Sequence, residues 1–326
     1  MAKLRNWWPS TRILIFLTAF VALAGVAHAQ DGLVKVIYPF AAGGSGDALA
    51  RILAEQLAAN LGTTAIVENR TGAAGRIGIK SVIAAPPDGR TLLLVSNPPM
   101  VIYPHSYTAL DYDPVKDLVP ISLAASFDVA LVVSPKIPVK TLPELIAWLK
   151  ANPEKAVYGS PGAGGLGHFM AVMFATSAKL ELRHVSYRGS AAVLNDLVAG
   201  HVPLAVVPLS DVAELHKGGN VRVLATAGDK RTSALPDIPT LQEVGFDMVG
   251  FGWYALYAPA KTPADVLAKL GAAVTTAIAS PEVKARILGL VLEPRASTPA
   301  ELAQLQAADS ERWGLVVRAS GFRQED

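Results

Sequence analysis

The sequence predicts an α/β fold, and three observations carry that reading. Short apolar runs at Val34–Tyr38, Ala65–Glu68 and Thr91–Val95 read as strands. Between them lie segments with apolar residues at helical spacing, as at Leu49, Ile52, Leu53 and Leu57. Strand passes to helix through glycine-rich turns at Ala41–Asp47, Asn69–Gly75 and Gly159–His168. A turn of this kind frees backbone N–H groups at a helix N-terminus and seats an anion. The same glycines also serve an ordinary tight connection.

The first thirty residues read as a targeting segment. Lys3, Arg5 and Arg12 precede the uncharged apolar stretch Ile13–Val26, and Ala27-His28-Ala29 supplies a small-residue cleavage pattern. The expectation is a signal peptide over residues 1–29, an exported protein and a mature chain from Gln30; the rival is an uncleaved membrane anchor. The apolar stretch is shorter than the about 20 residues that a membrane span needs. Removing residues 1–29 takes three basic residues and no acidic one, so 29 basic residues become 26 against 27 acidic. That near-neutral balance argues against nucleic acid as a partner. Cysteine is absent, which excludes disulfides, thiolate chemistry and a lipid anchor on an N-terminal cysteine. The 51% apolar content and the chain length predict two domains with large cores.

Later elements follow the same alternation. Pro98–Pro120 is proline-punctuated and reads as a long irregular surface segment crossing towards a second domain. Phe127–Val133 is a strand, and Thr141 with Glu144 caps a helix through Lys150. Ala156–Tyr158, Glu181–Val185, Pro203–Pro208, Val221–Ala225 and Trp253–Tyr257 are further strands. Helices follow over Ala191–Val198, Val212–His216, Pro263–Ala279, Pro281–Leu288 and Pro299–Ala319, the last capped by Thr298. In an open α/β sheet, ligands sit beyond the carboxyl ends of strands, where the glycine turns and Ser96-Asn97 lie.

Several catalytic readings lose support. Gly162-x-Gly164-x-x-Gly167 with Glu181 matches the dinucleotide fingerprint in form, but it sits mid-chain in an exported protein. No G-x-S-x-G elbow occurs, and the histidines show no metal-ligand spacing, so neither a hydrolase nor a metal site is expected. His168 either hydrogen-bonds its loop or touches ligand, and Asp47 either caps its helix or meets a ligand donor. Arg70 and Arg188 are available to a carboxylate or are simply solvated.

The segments PFAAGGSGD, VENRTGAAGRIG, PPDGRTLLL, YDPVKDLVPI, YGSPGAGGLGH, YRGSAAVLNDLVAGHV and KRTSALPDIPTLQEVGF occur in this order. Together they closely resemble the substrate-binding proteins of tripartite tricarboxylate transporters, the Bug family. The resemblance implies a two-domain periplasmic binding protein type II fold, each domain a mixed sheet flanked by helices, with the ligand cleft between domains. Residues 30–124 with 229–326 form one expected domain and 125–228 the other. It further implies a monomer, not an enzyme, that needs no cofactor. Such a protein captures a small organic acid for membrane permease subunits; a ligand-sensing module for a membrane-bound sensor, or more remotely a nucleotide-dependent enzyme, is the alternative. Expected ligand-binding residues are Gly43, Gly44, Ser45, Asp47, Asn97, Ser160, Gly162, Gly164 and His168. The chain departs from the family's usual pattern at three places. Gly46 stands where threonine is common, and Gly165 where serine is. Gly200-His201-Val202-Pro203 replaces a common Gly-Gln-x-Asp, so two hydroxyls and a carboxylate are expected to be missing from the ligand's surroundings.

Overall fold

The computed structural model describes residues 32–325, so the expected signal segment lies outside the described residues. From Val34 to the C-terminus the chain packs as one unit. Strand β1 (Leu33–Tyr38) leads to helix α1 (Ser45–Leu61), and β2 (Thr64–Asn69) to α2 (Arg76–Ile83). After β3 (Thr91–Ser96) come two single-turn helices, α3 (Pro98–Val101) and α4 (Tyr103–Ser106), then the long β4 (Leu118–Val133). Next are α5 (Leu142–Ala151), β5 (Val157–Ser160), α6 (Leu166–Ala178), β6 (Arg183–Ser186), α7 (Ser190–Ala199), β7 (Leu204–Pro208), α8 (Leu209–Lys217) and β8 (Arg222–Thr226). The chain closes with β9 (Phe251–Pro259), α9 (Ala264–Ala279), α10 (Pro281–Gly289), β10 (Glu293–Pro294) and α11 (Pro299–Ser320).

The strands run β2-β1-β3-β9-β4-β7-β5-β6, with β8 and β10 also on β4. β4 joins the two halves of this arrangement. Residues Leu118–Asp128 pair antiparallel with β9, whereas Val129–Val133 pair with β7 and, on the other edge, with β8 over Ala130–Val133. The chain returns beside the same point, where Ala227 N–H donates to Val129 O and Gly250 N–H to Ala227 O. The expected boundary after residue 124 thus falls inside a continuous strand, and the one after residue 228 lies just past β8. The sheet is mixed, as expected: β1 with β3, and β5 with β6 and β7, are parallel.

Two readings of the sequence are corrected. The segment after Pro98 is no surface loop: Met100, Val101, Ile102, Tyr103, Ser106 and Tyr112 are buried around α3 and α4. Prolines at helix starts, where a missing N–H costs nothing, concealed two short helices. β4 also begins nine residues before the expected Phe127. Its register shifts between Pro120 and Ser122, where proline cannot donate to the ladder.

Capped elements form where the sequence placed them. Thr141 Oγ1 accepts from Glu144 N–H at 3.3 Å, and Thr298 with Glu301 makes a reciprocal capping box. α11 is pinned to β9 by Trp253 Nε1–H donating to Asp309 Oδ2 at 2.8 Å and by Tyr257 hydroxyl donating to Gln306 Oε1 at 2.9 Å. Leu302, Trp313 and Val317 are buried beneath it. Among the described residues no single helix is long and apolar enough to cross a membrane.

Candidate functional site

Three strand-to-helix turns make up the candidate site, the first and third touching through Ser45 and Ser210. The first follows β1. Gly43 takes the positive φ of 96°, and α1 starts with no side-chain cap on Gly44. Asp47, in the first turn of α1, holds this loop shut. Its Oδ2 accepts from Gly43 N–H and Arg51 Nε–H at 3.1 Å each, and its Oδ1 from Asn69 Nδ2–H at 2.9 Å and Arg51 Nη2–H at 3.2 Å. Burial pushes this carboxyl up, but the bonds from Asn69, Gly43 and Arg51 outweigh it and leave the group below its ordinary value. Both oxygens are therefore engaged in setting the loop. No Cβ built on Gly43 or Gly44 would meet anything within 4 Å, so both glycines border open space.

The second turn follows β5. Ser160 Oγ donates to Gly162 O at 3.0 Å and stands 2.8 Å from His184 Nε2. With its proton spent on Gly162, the hydroxyl accepts from His184 Nε2–H. Gly164, at φ 70°, donates its N–H to His168 Nδ1 at 3.0 Å. The two imidazoles stack at 4.3 Å and 8°, with Tyr158 against His184 at 4.8 Å and the Phe322 edge on His168 at 4.7 Å. Burial, and for His168 also its neighbour His184, lowers both imidazoles to about 4, so both are neutral. The hydrogen bond to its own loop, one of the two roles the sequence allowed His168, is formed.

The third turn, β7 to α8, carries no glycine, and reasoning from the sequence passed over it. Ser210 Oγ lies 3.1 Å from Ser45 Oγ, which brings this turn against the first. Ser45 also bonds the Tyr254 hydroxyl, which bonds Tyr38. Burial first, then Tyr254, Asp211 and Asp47, pushes the Tyr38 phenol well up; burial and Asp211 push Tyr254 up to about 12. Ser210, Asp211, Tyr38 and Tyr254 thus surround the first loop. The signal for the third turn was positional: Pro208–Asp211 occupies the carboxyl end of a strand, as the glycine turns do.

Asn97 starts α3. Its backbone N–H donates to Trp253 O at 3.0 Å, and its fully buried side-chain Oδ1 and Nδ2 have no partner. Ser106 Oγ is likewise buried and unpaired, 3.7 Å from where a Cβ on Gly164 would stand. The expected residues therefore fall into two groups, Gly43–Asp47 and Ser160–His168, with Asn97 tied to neither by a hydrogen bond. Gly162 borders open space.

The three departures have different origins. A Cβ on Gly46 would collide with Tyr38 Oη and stand 2.9 Å from Tyr254 Cε1, so the tyrosines fill that place. A Cβ on Gly165 would meet only Gly162 O at 3.5 Å. His201 and Pro203 border a groove of about 600 Å³ with Lys136, Trp148 and Arg183. That groove lies at the amino ends of β5, β6 and β7, opposite Ser160 and Ser210. A carboxylate at position 203 would have stood at that amino end, away from Ser160 and Ser210.

The sequence profile described as "Tripartite tricarboxylate transporter family receptor" matches residues 49–322. Protein BugT of Bordetella pertussis is 31% identical over 321 residues, spanning 96% of this chain and 98% of that protein. Among solved structures, "R. palustris Rpa4515 with adipate" is similar at 28% identity and a TM-score of 0.85, covering 90% of this chain and 99% of its own. MatC from Rhodopseudomonas palustris, with bound malate, is similar at 28% identity and a TM-score of 0.80, covering 88% and 99%.

Proposed function

The chain belongs to the tripartite tricarboxylate transporter receptor family, and on that premise we propose that it captures a small organic carboxylate in the periplasm and delivers it to membrane permease subunits. The observation that carries this reading is the opposition of strand-to-helix turns from the two halves of the sheet, with Ser45 and Ser210 in contact across it. The starts of α1 and α6 have no side-chain cap, so their first N–H groups are free for the oxygens of an acid. Adipate and malate in similar proteins support a carboxylate as the ligand.

The mechanism is capture, with no bond made or broken. With the expected boundary after residue 124 moved to the crossing after Asp128, residues 30–128 with 229–326 form one lobe and 129–228 the other, as a monomer, after removal of residues 1–29. The lobes swing about the paired crossings at Asp128–Val129 and Ala227–Gly250, and the acid favours the closed state because only there do both lobes touch it. Asp47, through the Gly43 N–H, and Ser160 and His168, through Gly162 and Gly164, set loop geometry, while Gly44, Ser45 and Gly162 present backbone and hydroxyl to the ligand. Asn97 adds an amide whose hydrogen bonds are still unmade.

Native mass spectrometry of protein secreted to the periplasm tests this. The expected species carries one small carboxylic acid per chain. A bound nucleotide, or folded protein that binds no acid in a calorimetric panel of dicarboxylates, aromatic acids and amino acids, overturns the reading.

A further inference from the structure

Asp211 is a carboxylate without a cation. Its Oδ2 accepts from Ser190 Oγ at 2.5 Å, and the Ser210 hydroxyl donates to the same group. Among the described residues no lysine or arginine forms an ion pair with it. Burial holds this carboxyl above its ordinary value, despite the two serines. The contrast with Asp47 is direct: there Arg51 and Asn69 neutralise and saturate both oxygens. Asp211 also faces the first loop, since its charge acts on the phenols of Tyr38 and Tyr254 and its neighbour Ser210 touches Ser45. A carboxylate offers about four acceptor positions, so two serine bonds leave room for further donors.

A buried carboxylate with no cationic side chain, offset only by the first turn of α8 and two hydroxyls, marks a place where a charged partner is to be received. A second ligand carboxylate placed there would be repelled, whereas an ammonium would supply the missing countercharge. We propose that Asp211 is a specificity-determining residue that accepts the ammonium of the ligand, so that the captured acid is an amino-bearing carboxylate. Its carboxylate sits on the free N–H groups of the glycine turns, and its nitrogen lies against Asp211, Ser210 and the two phenols. This rests on the reading of the cleft as a carboxylate receptor and narrows it to one chemical class.

Calorimetry on the mature chain with matched pairs tests the inference: aspartate against succinate, glutamate against glutarate, alanine against propionate, and phenylalanine against 3-phenylpropionate. The expected result is that in at least one pair the amino acid binds more tightly than its deaminated match, by about tenfold or more, and that Asp211→Asn removes most of that ratio. Because the wild-type comparison needs no variant, a misfolded Asp211→Asn does not cloud it. Deaminated acids binding as tightly as their amino partners overturn the inference and leave carboxylate capture standing. A preference undiminished in a folded Asp211→Asn overturns it as well. Failure of all eight compounds, with the fold intact, overturns this inference and counts against carboxylate capture too.

Discussion

At Gly46 the missing side chain is a packing requirement, and at Gly165 it is not. The Tyr38 hydroxyl and the Tyr254 ring occupy the volume that a side chain at position 46 would need, and both phenols are buried. Gly46→Ala is therefore expected to cost about 1–3 kcal/mol, read as a lower urea midpoint. Gly165→Ser places its Cβ in ordinary contact with Gly162 O and is expected to leave stability within about 0.5 kcal/mol. If Gly46→Ala proves as mild as Gly165→Ser, the tyrosine packing is wrong. The two phenols also restore hydroxyls beside the first loop, which no reading of the loop's own residues would show. Tyr38 and Tyr254 are far apart in sequence and meet because β1 and β9 both pair with β3.

Among elements, β5, β6 and the start of α6 make the second turn rigid through the His168–His184 stack. Both imidazoles are held near 4, below their unfolded value of about 6.5. A depressed histidine contributes stability that is present above the unfolded value and lost as pH falls through the folded one. Unfolding midpoints are thus expected to drop between about pH 6.5 and pH 4, by roughly 3 kcal/mol for His168 alone. His184→Phe, which keeps the stack and removes one titrating group, is expected to flatten that slope; an unchanged slope would show that the histidines do not govern it. Much at this scale was legible. Thr141 and Thr298 announced their helices because a cap acts within three residues, and the apolar spacing placed α9, α10 and α11 almost to the residue. The first half of β4 was not legible because Pro120 interrupts it, nor were α3 and α4, whose burial depends on distant packing. The glycine turns were legible from local geometry, while Ser210 and Asp211 needed the third dimension to be seen beside Ser45.

For the whole molecule, the place where β4 changes partners carries an acid. Asp128 lies at the last β9 pair and one residue before the first β7 pair. Burial, then Glu293 and Asp229, push its carboxyl up to about 6. An acid raised in the folded state stabilises below its unfolded value of about 3.9, and that contribution is lost as pH rises through 6. Above pH 6 the charge is carried at a cost of roughly 3 kcal/mol or less, so Asp128→Asn is expected to raise the unfolding midpoint at pH 7.5 and to do little at pH 4. Equal effects at both values would contradict a titrating group at the crossing.

On the proposed mechanism, turns from both lobes close on one acid. Amide hydrogen exchange with and without a saturating acid found by calorimetry tests it most directly. Slowed exchange is expected in the same sample at residues 43–47, 162–166 and 209–211, with the groove beside Lys136 and Arg183 unchanged. Protection confined to a single turn, or centred on that groove, would contradict it.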